Sequence, residues 1–527
     1  MKVLLISLQT NSYLTDIKYI ASNVIAHGHD ARMLFIPGYM EEKLSPAIES
    51  FIKDYSPDLI GIGLMSIEFY PSRNMTELLK ESFDIPVIWG GVHAIMSPEE
   101  CIKYSDYVCS GEGEYTVVHL LDHLNEHGRD ALPDIPNLWV NDHGNIIRAK
   151  KREEVADLNS LPHQEYLPHY FYGYHKHKIV NFATNPGLFR KYAHYGGTCH
   201  MILTSRGCPF KCSYCGNSFL MDAFGKRVRE RSVENCITEL KEVKKYPHII
   251  YINIEDDWFL FHSKEWIEEF CREYKKHIRL PFMIRVYPSK LDRDQLLMLR
   301  DAGLSWVLMG IQSGSDRVNY EVFNRKVPFS RVQEAAEVIA ETKAAPYYEM
   351  IVDNPYETEE DQIKTVNSIL KLGRPFVLSL AHLTYMPGTQ IREMALKDGI
   401  KDVDSYLTRF LMNIEYNYFN KLLYISPYVP RSIARFLNIP EKERTDFHSN
   451  LTNILFFIVK RTMEPGVYFF ITTRGLKYSL LLTVKSVMYI WRSALSIVLS
   501  NFLDEEDVKY DEKLKLFRKI KPALFEK

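Results

Sequence analysis

The 527-residue chain reads as an α/β protein: two successive βα units, a stretch joining them, and a mainly α-helical C-terminal region. Three observations point to it. Short apolar runs alternate with amphipathic stretches from residue 1 to about 125, and the same alternation returns from Met201 to about Leu396. Beyond 397 the strand pattern fades into long apolar and aromatic helical stretches.

One hydrophobic core does not serve a chain of this length, and about 150 residues per domain suggests about three domains. Hydrophobic residues at 46% and charged residues at 25% argue against disorder and fibrous repeats. Lys and Arg number 65 against 67 Asp and Glu, so no basic excess signals nucleic acid. Eight cysteines in so long a chain suit a reducing compartment. The start, Met-Lys-Val-Leu-Leu-Ile-Ser, reads as a buried strand rather than a signal-peptide core, so the cytoplasm is the expected location.

In the first unit, Val3 to Ile6, Ala31 to Phe35, Leu59 to Leu64, Val87 to Trp89 and Tyr107 to Ser110 are the expected strands. With helices between them they predict a doubly wound parallel sheet over residues 1–130, whose ligands bind at the carboxyl ends of the strands. Those ends are small: Gly61 and Gly63 lead to Met65-Ser66, Gly90-Gly91 follows Trp89, and Gly111-Glu112-Gly113-Glu114 follows Cys109. Glycine lets backbone approach a bulky ligand closely. Residues 131–197, punctuated by Pro133, Pro136, Pro162, Pro168 and Pro186, are expected to be a linker packed between domains.

The second unit, 198–396, offers strands at 201–204, 249–254, 283–287, 306–311, 347–352 and 377–382. Six βα repeats predict a partial (β/α)6 TIM-type barrel with its site at the carboxyl ends of the strands. Residues 397–527 form the helical C-terminal domain.

Immediately after the first barrel strand comes Thr-Ser-Arg-Gly-Cys-Pro-Phe-Lys-Cys-Ser-Tyr-Cys, residues 204–215. Cys208, Cys212 and Cys215 can wrap one face of a cubane from a single loop, and thiolates are the usual ligands of such clusters. A fourth ligand is missing, which leaves one iron open. A zinc site is the competing reading, but zinc wants a fourth Cys or His nearby. The candidate, Cys199, lies on the far side of the expected strand.

Cys-x3-Cys-x2-Cys after a barrel strand, with Tyr214 before the last cysteine, resembles the signature of the radical S-adenosylmethionine (SAM) superfamily. The domain order further resembles its cobalamin-binding members, with a Rossmann-like domain ahead of the barrel. The resemblance covers residues 1 to about 395. It implies a 4Fe-4S cluster on the three cysteines, SAM chelating the open iron, and a 5′-deoxyadenosyl radical formed by one-electron cleavage. It also implies that Tyr214, Glu255 and Asp256 at the second strand end, Arg285 on the third, and Gln312-Ser313 in the fourth-strand motif contact SAM or position substrate. Gln312 departs from the Glu common there, and Arg285 has a barrel-rim ion pair as its competing role.

On the N-terminal side the resemblance implies cobalamin contacts at Ser66, Gly90, Gly91, His93, Gly111 and Glu112. The Asp-x-His-x-x-Gly loop that presents a His to cobalt in many cobalamin proteins is absent, and His27 and His29 read as a helix stop around Gly28. The lower face of cobalt is therefore expected to lack a loop His. An empty Rossmann-like domain is the plain alternative.

Between Leu451 and Leu503 the only acid is Glu464, while Lys460, Arg461, Arg474, Lys477, Lys485 and Arg492 are basic. Lys485 and Arg492 interrupt the most apolar part, which leaves two expectations: helices closing the substrate pocket, or a peripheral membrane contact through 451–503.

The resemblance implies a cobalamin-dependent methyltransferase moving methyl from methylcobalamin to an unactivated carbon or phosphorus. A cyclase or ring-rearranging enzyme with the same cofactors is the alternative, and a cobalamin-binding sensor or carrier is the alternative of another class. The implied partners are an electron donor such as flavodoxin or ferredoxin and a substrate left open among small metabolites, lipids and peptides.

Overall fold

A computed structural model describes residues 1–225 and 227–463, so the part of the basic apolar stretch from 464 onward lies outside the described residues. The N-terminal sheet has nine strands: β1 (Lys2–Ser7), β2 (Asp30–Phe35), β3 (Leu59–Gly63), β4 (Val87–Gly90), β5 (Tyr107–Cys109), β6 (Leu138–Asp142), β7 (Asn145–Ile147), β8 (Phe171–His175) and β9 (Lys178–Asn181). Their order is β7-β6-β5-β4-β3-β1-β2-β8-β9, and β1 to β5 are mutually parallel. Strand β1 is a continuous apolar run because both of its faces are covered: Val3 and Leu5 enter one core, Leu4 and Ile6 the other. Chain order reverses between β1 and β3, so their following loops part and leave a crevice at the carboxyl ends.

The stretch expected to be a linker instead extends this sheet. Strands β6 and β7 run antiparallel along the β5 edge, β8 lies parallel to β2, and β9 turns back on β8. These strands are short and separated by tight turns with left-handed residues, His143 and Gly144 in one and Lys176 and His177 in the other. Runs this brief show no period in the sequence.

The second sheet contains six parallel strands, β10 (Cys199–Ile202), β13 (Tyr251–Ile254), β14 (Phe282–Val286), β15 (Leu304–Gln312), β16 (Ala345–Val352) and β17 (Val377–His382), in chain order. Between the first two lies a small antiparallel ribbon of β11 (Ser205–Arg206) and β12 (Arg229–Glu230). All six expected barrel strands are present, the first beginning at Cys199 rather than Met201. Cys199 is fully buried at the end of β10 remote from the cysteine loop.

One apolar core runs from the helix Thr15–Ala26 through Phe171, Phe182 and Phe189 into the barrel, so the two units share packing. The helices Tyr418–Ile425 and Arg431–Leu437 add Leu422, Leu423, Ala434 and Leu437 to it. Among the described residues no helix is long and apolar enough to cross a membrane.

Candidate active site between the barrel and the N-terminal sheet

The cysteine loop is fixed at both ends. At its start Asp256, fully buried, accepts the backbone N–H groups of Thr204 (2.6 Å) and Ser205 (3.1 Å) and the hydroxyls of both. Gly207 then turns with φ +103°, where a Cβ would lie 2.9 Å from Met221 Sδ. Further along, Ser213 donates to Val322 O at 2.6 Å through its hydroxyl and to Phe323 O at 2.9 Å through its N–H. Cys215 caps the helix Gly216–Phe224, whose N-terminus favours negative charge on sulfur.

Cys212 is buried and Cys208 and Cys215 are half-buried. Burial pushes the Cys208 thiol up to about 12, with Asp257 and the other two thiols adding to the shift. Burial likewise raises Cys215 to about 11, and Cys212 and Asp257 again add. Three clustered sulfurs are a donor set that a cationic iron centre would hold as thiolates, against the burial that raises Cys208 and Cys215.

At the barrel mouth Glu255 and Arg285 form an ion pair of 2.6 Å, both side chains partly exposed. Asn253 donates to the same carboxylate. Glu349, on β16, is raised by burial, with Arg285 opposing and Glu255 adding, and makes no hydrogen bond or ion pair among the described residues. Gln312 has φ +68° and its amide folds over Gly310, whose carbonyl accepts from Arg325 at 2.6 Å. Ser313 is fully buried and donates to Glu357 at 3.1 Å. Tyr214 packs edge-on against Phe323 at 5.0 Å. Of these candidates the structure therefore places Glu255 and Arg285 at the mouth. Asp256 faces the other way, as the clamp of the cysteine loop.

A cavity of about 640 Å³ opens at the carboxyl ends of β1, β3, β4 and β5. Its floor is Leu5, Gly61 and Ile88, its walls include Gly63, Gly90, Gly91, Gly111 and Glu112, and Leu203, Arg206 and Leu220 of the barrel unit close it. The glycines are spatially required: a Cβ on Gly61 would lie 2.8 Å from Leu5 Cδ2, and one on Gly91 (φ +96°) 2.6 Å from Leu64 O. The result is a deep apolar slot between two domains, the shape that takes the flat face of a large macrocycle. Ser66 and His93 do not line it. His93 is fully buried with Nδ1 3.0 Å from Ser66 Oγ and its ring against Phe69 and Tyr406.

The B12 binding domain family matches residues 1–121, and the Radical SAM superfamily matches residues 202–369. The chain is a B12-binding radical SAM enzyme. An uncharacterized methyltransferase of Pyrococcus horikoshii is 25% identical over 386 residues, covering 72% of this chain and 78% of that one. The anaerobic magnesium-protoporphyrin IX monomethyl ester cyclase of Rubrivivax gelatinosus is 21% identical over 408 residues, covering 74% and 68%. In fold, the chain matches the radical SAM methyltransferase TsrM of Kitasatospora setae with a TM-score of 0.60 at 18% identity, over 75% of this chain and 76% of that one. The cofactors of this B12-binding radical SAM enzyme are accordingly a 4Fe-4S cluster, SAM and cobalamin, and both the crowded thiols and the glycine-lined slot fit them.

Several residues at this site carry no motif of their own. Arg206 pairs with Glu112 and Glu114 at 3.0 and 2.7 Å, and Arg229 pairs with Glu112 at 2.8 Å. Asp16 faces the cavity from the start of the helix Thr15–Ala26; burial raises its carboxyl, Glu114 adds to the rise and Arg206 opposes it. The available signal was charge balance, two acids after β5 and two arginines flanking the cysteine loop.

Proposed function

We propose that this enzyme transfers a methyl group to an unactivated carbon or phosphorus centre. The observation that carries the reading is the placement of the glycine-lined cavity directly against the cysteine loop, with Arg206 belonging to both. Methyltransferase relatives support the same reading. When bound, the three cofactors supply a SAM-derived carbon radical and a methyl group carried on cobalt.

In this reading Cys208, Cys212 and Cys215 hold the cluster. The methionine end of SAM carries both an ammonium and a carboxylate, and the Glu255–Arg285 pair offers a complement to each. The cavity holds the corrin with Gly90, Gly91 and Gly111 against it, and its apolar lining disfavours water beside the reacting groups. Reduction of the cluster calls for a small electron donor of the flavodoxin or ferredoxin class. The candidate substrates are small metabolites, lipids and peptides.

The test is anaerobic turnover with cobalamin and methyl-labelled SAM against such substrates. Label in the product supports methyl transfer. Product without label, formed together with 5′-deoxyadenosine, sinks it in favour of rearrangement or of cyclisation, the activity named for the Rubrivivax relative.

A further inference from the structure

The two-stranded ribbon formed by β11 and β12 has one cross-strand pair of like charge, Arg206 opposite Arg229. Two adjacent guanidiniums repel, and nothing in the ribbon itself offsets this. The compensation comes from the other domain. Arg206 reaches Glu112 at 3.0 Å and Glu114 at 2.7 Å, while Arg229 donates to both oxygens of Glu112 at 2.8 and 2.9 Å. All four side chains are largely buried, with exposures of 18% or less. Burial opposes the charge on Arg206, yet Glu114 and Glu112 hold it firmly protonated. Glu112 is held ionised in turn, lowered by Arg229 and Arg206 against its burial. Glu154 adds a third acid at 3.2 Å from Arg229, so three carboxylates enclose the two guanidiniums.

Its location gives it a task beyond holding two domains together. Arg206, Glu112 and Glu114 all line the cavity, and a single residue, Gly207, separates Arg206 from Cys208. A shift of the Glu112–Glu114 turn is therefore passed to the first cluster ligand across one residue. We propose that Arg206 is a positioning residue that sets the separation and orientation of the corrin and the iron-sulfur cluster. This rests on the cofactor placement given above, and not on methyl transfer being the outcome.

Cob(II)alamin and the reduced cluster are each paramagnetic, so their mutual spin coupling reports the spacing directly, without substrate. The chain loaded with both cofactors would be compared as wild type, R206M, R206K and Leu422→Ala, the last a core truncation in the helical region remote from the cavity. Expected are a coupling that falls by about twofold or more and broadens in R206M, because a site that loses its supporting contacts loosens by about an ångström. R206K recovers part of it, since lysine keeps the charge and loses the fork that spans two carboxylates. Leu422→Ala lowers the melting temperature and leaves the coupling at the wild-type value. The proposal is overturned if R206M keeps the wild-type coupling, or if Leu422→Ala shifts it as much. Should R206M fail to load its cofactors, R206K decides: an unchanged coupling overturns the proposal, a weakened one supports it. The labelled-SAM assay remains separate, since a wild type with strong coupling and no label transfer removes the methyl-transfer reading alone.

Discussion

Asp256 accepts the backbone N–H of Thr204 at 2.6 Å, so a carboxylate at the end of one barrel strand grips the segment that leads the neighbouring strand into the cysteine loop. His262 completes the clamp: its Nε2 lies 3.4 Å from Asp256 and its Nδ1 2.7 Å from Glu230, under a Trp266 ring stacked at 3.7 Å. Burial lowers the imidazole, but the two acids overcome it and hold His262 above its usual range.

Asp256→Ala removes five hydrogen bonds at once and leaves their donors buried. A loss of about 3–5 kcal/mol is expected, the usual cost of breaking a buried charged network. Iron retained per chain after anaerobic reconstitution should fall with it. Asp256→Asn keeps one acceptor and should lie between. Wild-type melting and full iron in the alanine variant would remove the clamp from the account.

Lys18 is buried at 2% exposure, donates to Tyr166 O at 2.7 Å, and sits 5.5 Å from the Tyr166 and Phe189 ring centres. Burial pushes it down to about 7. The unfolded chain binds this proton up to its ordinary pKa near 10.4, so the penalty on the folded state is full below pH 7, shrinks as pH rises, and is gone above about 10.4. Lys18→Met should therefore be the more stable protein at pH 6 by about 2–4 kcal/mol, with the advantage vanishing at high pH. Urea unfolding at a series of pH values checks this; an advantage that grows with pH would contradict it.

What could be read from the sequence divides along physical lines. The strands from Cys199 to His382 are legible because each is an apolar run between helices, and the three-cysteine loop because its spacing lies within one segment. Arg206 and Glu114 are 92 residues apart, and no local pattern joins them. Glu255-Asp256-Asp257 shows three acids in a row, yet only strand alternation separates the side chain at the mouth, Glu255, from the one buried behind it, Asp256. The strands between 138 and 181 are too short to leave a period, and the turn residues around them read as linker.

Gly61 forms the floor of the cavity, and Gly61→Val forces Leu5, its neighbour at 2.8 Å, into the space the corrin needs. Cobalamin affinity should fall by about tenfold, or roughly 1.4 kcal/mol, toward the low end of overpacking costs. Iron content should not change, because Gly61 is remote from the cysteine loop in the chain and lies on the sheet side of the cavity. Absorbance of bound corrinoid against iron per chain separates the two effects, and equal loss of both would point to unfolding instead.

The barrel mouth sets two carboxylates, Glu255 and Glu349, against one guanidinium, Arg285, which pairs with Glu255 at 2.6 Å. Arg285→Met leaves both acids facing the site without this cation, and under the proposed placement the carboxylate of SAM then meets like charge where it had a donor. Loss of a charge-assisted hydrogen bond, about 1.5–3 kcal/mol, predicts SAM binding weaker by about tenfold or more. Burial already raises Glu349. It should therefore take up a proton readily as pH falls, and the SAM affinity of Arg285→Met should partly recover on acidification. The double variant Arg285→Met, Glu349→Gln should show that recovery at neutral pH, because the amide removes the unshielded charge while keeping the shape. Equilibrium dialysis of SAM against wild type and the two variants decides it: a double variant as weak as Arg285→Met alone would mean that Glu349 does not face the bound SAM.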